Sequence, residues 1–558
     1  MKDLLTRKLP AELVVDIFSR VVPPKRREEW SESSPPHTTL TPLSLGKICR
    51  SWRSIVWNTP MLWTYVTLTL NREHYETQVE LLPGWLERSG HHPLTIIMRG
   101  PGGDEEEDWE IHPPYEVMCQ LAEVSERWKE VDMFIPYACY TDLARIRCRL
   151  PLLERLTIRP PDGVDFAFDY KLHFFHDAPR LQGLTINGLH YADATALPWH
   201  QLRCLYGQDL LVADDCYAML KDAENLIVCR FNNVQQSSDF ASASPEMIHL
   251  PRLQILELST IGNILATAFL DSLSLPSLVE LELGLGFTFD DWKYFSISDL
   301  TSFVRRSGCL LQRLTLFKIR LIERELIEGL VSLPHLVELH LHAEYPKASA
   351  GMSISDTFLF ALSPPSSRPF GVCHPLPPDE SLVPKLEILG YNGPLSNITP
   401  QNLQTMLEYR WYGISHASSS PCPCPSSSSS SSGGRYSVER LHKVSLESAS
   451  SITITPEVQS SIRSLITDQG MDLTLTTNGF DASLIHTDNW LASPDQTVLG
   501  TSGGMDTETT SGWVPDKEHE TVARQSNEIP LASAPPSPQV CPGPQGMFFA
   551  PLAFSEDW

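Results

Sequence analysis

The chain has no run approaching the roughly 18 consecutive apolar residues that a membrane-spanning helix needs, so it predicts no span. Its opening residues, MKDLLTRKLPAEL, carry too much charge for a secretory leader. It is also short of positive charge: 43 Lys and Arg stand against 68 Asp and Glu, a formal net charge of -25, and the basic residues are scattered. Such a chain repels a phosphate backbone and an anionic lipid surface alike, which excludes nucleic acid and membrane as partners. Cytosol or nucleus is the expected location.

Cysteine is sparse, 12 in 558 residues, and sits mostly inside apolar runs such as Ile48-Cys49 and Val228-Cys229, as reduced core thiols do. No disulfide framework is expected. The phosphate-cradling G-x-x-x-x-G-K-[ST], the dinucleotide pattern G-x-G-x-x-G and the zinc-binding H-E-x-x-H are all missing, so no enzyme, catalytic residue or cofactor is expected. Cys422 and Cys424, in P-C-P-C-P, are too close for a zinc knuckle. Glu338, His340 and His342 alternate on one predicted strand and would share a face; a solvated polar strand explains them without a metal.

What is present begins with a helix signal. In LPAELVVDIFSRVV, residues 9 to 22, Pro10 stands where a first-turn proline is harmless, Glu12 lies near the positive end, and Leu13, Val14, Ile17 and Phe18 recur at helical spacing. Leu9, Leu13 and Ile17 line one side, while Val14, Phe18 and Val21 line an adjacent one. A domain of about 50 residues has too small a core to hide both sides. The polar, Pro-rich stretch from 23 to 41 predicts a loop insertion. Thr41-Pro42 then reads as an N-cap with a first-turn proline, and Leu45, Ile48, Cys49, Trp52, Ile55 and Val56 mark a second helix. Thr59-Pro60 opens a short turn ending at Leu62-Trp63.

A strand-like PLTIIM at 93 to 98 and an acidic surface run, DEEED at 104 to 108, come next. From Leu150 a phrase returns: LPLLERLTI, APRLQGLTI at 178, LPRLQILEL at 250, LPSLVELEL at 275 and LPHLVELHL at 333, with weaker copies at 200, 224, 309, 383 and 439. Leu153 to Leu181 is 28 residues, Leu202 to Leu226 is 24, Leu226 to Leu253 is 27, and Leu253 to Leu278 and Leu311 to Leu336 are 25 each. The pattern L-x-x-L-x-L at a period of roughly 20 to 29 residues is the signature of leucine-rich repeats, in which stacking buries a face no single unit can bury. The intervening stretches, such as DDCYAMLKDAE at 214 to 224 and SISDLTSFVRRSG at 296 to 308, predict outer helices. A Ser-rich run at 415 to 434 has too little apolar content to pack, a helix near 456 to 468 and a strand MDLTLT at 471 to 476 follow, and composition predicts a disordered tail.

The N-terminal elements resemble an F-box. The residues that carry the likeness are Leu9-Pro10, Glu12-Leu13 and Ile17-Phe18, then LGKICRSWRSI at 45 to 55 and NTPMLW at 58 to 63. The whole is similar to the F-box and leucine-rich-repeat proteins expanded in mushroom-type fungi. The resemblance implies contact with a Skp-type adaptor, and through it a cullin, by Leu9, Pro10, Leu13, Ile17, Ile48, Cys49 and Trp52. The long loop between the first two helices departs from the family pattern. The alternative reading is that these helices only cap the open end of the array.

The expected architecture is therefore α/β: a helical F-box over residues 1–70 with its loop insertion at 23–41, an irregular leucine-rich repeat array over 71–414, the Ser-rich insertion at 415–434, a terminal repeat and cap over 435–480, and a disordered tail over 481–558. The expected role is the non-enzymatic substrate-recognition subunit of a Skp-cullin-F-box ubiquitin ligase with an unknown protein target; the alternative is an adaptor-independent scaffold. Since the leucines of each phrase point into the core, the residues between them must project from the other strand face. That row holds Arg155, Thr157, Arg159, Tyr206, Arg230, Glu257, Glu280, Glu282, Arg313, Glu338 and His340. Its sign runs from basic early to acidic in the middle, which would suit a target of opposite order.

Overall fold

The computed structural model describes residues 8–22, 40–100, 111–159, 174–187, 196–208, 210–235, 246–286, 295–319, 322–343, 353–364, 381–412, 438–448, 454–477 and 480–481. The acidic run at 104–108, nearly all of the loop insertion expected at 23–41, the Ser-rich run and the tail after 481 lie outside the described residues.

The first helix spans Ala11–Val21, with Pro10 at its N-cap and Glu12 in its first turn. The expected single second helix is instead two, Pro42–Ile48 and Arg50–Trp57. Cys49 breaks them apart: it is extended, at φ -158° and ψ 170°, and its Sγ accepts the Trp52 N–H at 3.4 Å, which makes it the cap of the second piece. Thr41 and Ser44 form a reciprocal capping box at the start of the first piece. A 3-10 turn, Pro60–Trp63, closes the module as the Thr-Pro signal predicted. Val14, Phe18, Val22, Leu45, Val56, Leu62 and Trp63 bury one another in a small core, with Trp52 tilted against Phe18 at 4.7 Å. Gly46 is required there, because a Cβ would stand 2.2 Å from the Trp57 ring.

One mixed α/β arrangement with a large parallel sheet follows. Strands Tyr65–Thr69, Leu94–Arg99, Trp128–Phe134, Arg155–Arg159, Gly183–Asn187, Cys204–Gln208, Val228–Asn232, Ile255–Gly262, Glu280–Gly286, Arg313–Ile319, Glu338–Ala343, Ile388–Asn392, Lys443–Glu447 and Asp472–Thr477 lie side by side in that order, a solenoid-like stacking. All are parallel, and Phe480–Asp481 returns antiparallel on the last of them. Each recurring phrase supplies a strand. The sheet nevertheless begins before the first phrase, and the boundary expected at residue 70 falls just past its first strand. The three early strands escape the pattern because Val66, Ile96 and Met98, Val131 and Met133 fill the leucine positions.

The register makes the repeat physical. Leu156, Leu184, Leu205, Cys229, Leu256, Leu281, Leu314, Leu339, Leu389, Val444 and Leu473 form one continuous row across the sheet, all on the buried side. Gly207 interrupts the neighbouring row, and the space is filled by Leu211 and Phe231. Ahead of the strands runs a main-chain ladder: from Glu154 to His442, one N–H per repeat donates to the carbonyl of the preceding repeat at 2.8 to 2.9 Å. No single residue type closes the turns. Gln201 donates to the Ala178 carbonyl, Asn225 to His200 and Ser277 to Pro251, three different side chains doing one task.

Helices pack against the buried side, among them Ala213–Asp222 and Ile297–Ser307 where outer helices were expected; the latter starts at its Ser296 cap and ends at left-handed Gly308. Their apolar faces and the strand leucines form one cluster. Toward the end of the array, carboxylates of one helix hold the start of the next. Glu323 accepts the Ser355 N–H and hydroxyl, each at 2.7 Å, and the Phe358 N–H at 3.1 Å, where helix Asp356–Leu362 begins. Asp356 in turn accepts from the Thr399 N–H and the Asn402 amide, both at 2.8 Å, where Pro400–Tyr412 begins. Arg410, fully buried, donates to the carbonyls of Leu362, Leu382 and Val383. Among the described residues no helix is long and apolar enough to cross a membrane.

Candidate interaction surfaces

The first helix buries one of its two adjacent apolar sides and leaves the other on the surface. Val14, Phe18 and Val22, each four residues apart, point into the small core, while Leu13, Ile17 and Val21 remain on the surface, Leu13 at 51% exposure. Val21, grouped with the inward side from the sequence, belongs with Ile17, because the buried stripe is centred on the Val14, Phe18, Val22 row rather than midway between the two. Nearby in the module, Leu43, Ile48 at 56% and Met61 at 58% are also exposed. Seven of the fifteen large hydrophobics that stand exposed among the described residues fall between residues 13 and 61, so the apolar surface is concentrated at this end.

The seven residues assigned to an adaptor contact divide. Pro10, Leu13, Ile17 and Ile48 are exposed and available. Leu9 and Trp52 pack against the small core, and Cys49 is engaged as a helix cap. Leu43, Val21 and Met61 are exposed members that the contact assignment left out; spacing of four from Ile17 could have found Val21.

The second surface is the sheet face opposite the leucines. The strand ladder brings Tyr206, Arg230, Glu257, Glu282, Thr315 and His340 into one row and Glu280, Arg313 and Glu338 into the next. Arg155 stands early on the same side, Thr157 is buried beside it, and Arg159 ends the same strand. The expected drift from basic to acidic is replaced by local neutralisation. Arg155 pairs with Glu130 at 2.7 Å, Arg230 with Glu257 at 3.2 Å, Arg313 with Glu280 through Nε at 2.8 Å, and His340 with Glu338 at 2.8 Å. Glu130 precedes the first phrase, so the sequence reading left Arg155 without its partner. Glu282 is the exception: burial, then Glu257 and Glu280, push its carboxyl up to about 7, against the pull of Arg230.

His342 stacks on Phe317 at 4.4 Å with the rings 18° apart, and burial, then the neighbouring His340, lower its imidazole from the ordinary value. His340 bonds Glu338 while His342 stacks apart from them, and no metal-holding group of three His, Cys, Asp or Glu occurs among the described residues. The eight described cysteines are free thiols; burial pushes Cys309 up to about 11 and Cys216 and Cys229 strongly in the same direction, so these are inert core groups. A Gly500-Thr501-Ser502-Gly503-Gly504 run matches the nucleophile pattern G-x-S-x-G but lies outside the described residues. Between the module and the start of the sheet is a cavity of about 350 Å³, lined by Val22, Met61, Leu62, His92, Lys129 and Glu130 among others. Compared with protein-family models and with curated proteins, the chain matches none.

Proposed function

We propose that this chain is the substrate receptor of a Skp-cullin-F-box ubiquitin ligase, with residues 1–70 acting as the F-box and the parallel-sheet array as an irregular leucine-rich repeat that holds the target. The observation that carries the reading is the row Leu13, Ile17 and Val21, left in solvent beside a small core that is already full. Each such side chain gains roughly 1.5–3 kcal/mol when fully buried, and a row of them is a partner-binding surface. Ile48 and Met61, exposed in the same module, add to its apolar surface. The receptor does no bond chemistry: it raises the effective concentration of target lysines near a conjugating enzyme.

A second reading, an adaptor-independent scaffold, draws support from Trp85. Its ring packs against both hydrophobic cores and its indole donates to the Trp63 carbonyl, so the helices also serve as a cap on the sheet. The test is capture of a purified Skp-type adaptor by the full chain and by the double variant Leu13→Asp, Ile17→Asp. Loss of capture with an unchanged circular dichroism spectrum and melting temperature is expected. Equal capture by both proteins removes the helix row from the interface, and no capture by the wild type leaves the scaffold reading.

A further inference from the structure

On the exposed sheet face, three carboxylates share two guanidinium groups. Glu257 and Glu282 are direct partners across neighbouring parallel strands, and Glu280 precedes Glu282 by two residues on the same face. Arg230 takes Glu257 at 3.2 Å, and Arg313 takes Glu280 at 2.5 and 2.8 Å. Glu282 is left half-buried with no hydrogen bond or ion pair among the described residues. Its neighbour on the other side is Thr315, which carries no charge, and beyond that lies His340, already held by Glu338. The charged groups facing Glu282 are thus Glu257 and Arg230 on one flank, Arg313 and the His340–Glu338 pair on the other, and Glu280 on its own strand.

We propose that Glu282, set against Glu257 and Glu280 with no cation of its own, keeps a proton into the range where ordinary glutamates are ionised and releases it to solvent as the pH rises through neutrality, which makes the outward face of the sheet a pH-sensitive surface. Three carboxylates in a place where water is partly excluded cannot all ionise as they would in solution, and two cations satisfy only two of them. The Glu282 carboxyl is accordingly raised from 4.5 to about 7, first by burial and then by Glu257 and Glu280. Glu257 and Glu280 act on that carboxyl as neighbouring negative charges. The proposal goes beyond the ligase reading and does not depend on it.

The sign follows from proton counting. Between about 4.5 and about 7 the folded protein binds a proton that the unfolded chain has lost, so this group's contribution to stability falls as pH rises across that window and is level above it. Thermal unfolding of the full chain is measured across that window and beyond for wild type, Glu282→Gln and Glu257→Gln. The Glu282→Gln midpoint should equal the wild type at the acid end, rise above it as the pH increases, and hold a constant lead past neutrality. Parallel curves for the two proteins would overturn the proposal. A direct readout covers a variant that fails to fold: in protein labelled with 13C at the glutamate carboxyls, one resonance should titrate near neutrality, and Glu257→Gln, which also frees Arg230, should move it to lower pH. If every glutamate resonance titrates below about 5.5, the upper end of the ordinary range, or if Glu257→Gln leaves the neutral one in place, the proposal fails.

Discussion

Trp85 donates its indole N–H to the Trp63 carbonyl at 2.8 Å, and the two rings meet edge to face at 4.8 Å. Trp63 belongs to the N-terminal core, and Trp85 to the first helix that packs on the sheet, so the two cores share a seam. Arg88 lies over the Trp63 and Trp57 rings at 5.1 and 5.7 Å and covers that seam from outside.

Trp63→Ala should therefore cost about 3–5 kcal/mol, the range for removing a buried aromatic. Amide exchange is the discriminating measurement: protection should be lost over residues 8–63 and the Tyr75–Arg88 helix, and kept in the strands from Arg155 onward. Uniform loss throughout would show that the seam governs the whole array.

The two sides of the first helix predict opposite results. Phe18→Ala should cost about 3–5 kcal/mol in chemical denaturation, because Phe18 is buried against Trp52. Leu13→Ser and Ile17→Ser should each change stability by no more than about 0.5 kcal/mol, the usual range for exposed positions. A large loss from either serine variant would mean that the outward row is structural.

Arg410→Met keeps the apolar stem but leaves the Leu362, Leu382 and Val383 carbonyls without that donor. At about 1–3 kcal/mol for each buried group left unsatisfied, a total loss of about 3–5 kcal/mol is expected once neighbours relax. Thermal unfolding of Arg410→Met beside Arg410→Lys would check it: lysine, a single point donor, should fall between wild type and methionine.

Glu323→Ala should cost about 2–3 kcal/mol, since three donors at the start of helix Asp356–Leu362 lose one charged acceptor. Glu323→Gln, which keeps one acceptor oxygen, should restore about half of that. Equal destabilisation by both variants would show that charge at the helix start, rather than hydrogen bonding, is what matters.

The strands from Arg155 onward were legible because leucines at a fixed period leave a mark that survives irregular spacing. Of the three strands before them only Leu94–Arg99 was foreseen, from PLTIIM; Val66, Ile96 and Val131 bury as well as leucine does, and only their register reveals that all three continue the row. The break at Cys49 was hidden because a thiol cap leaves no distinctive spacing. On the outward face the residues themselves were foreseen but not their pairing, because Arg313 finds Glu280 from 33 residues away. Glu282 was named for its charge; that it lacks a partner among the described residues is a property of three strands together.

The main-chain ladder between repeats has a consequence for how such a protein can change. Adjacent units are joined by N–H groups that every residue except proline possesses, and by leucines on the hidden side, so the displayed side chains have little part in cohesion. Their ion pairs are only partly buried, so that desolvation offsets much of the attraction and each contributes little. The display is therefore nearly independent of its support: lineages, or designers, can rewrite what the sheet shows to the outside, position by position, and the chain beneath will still find the same structure.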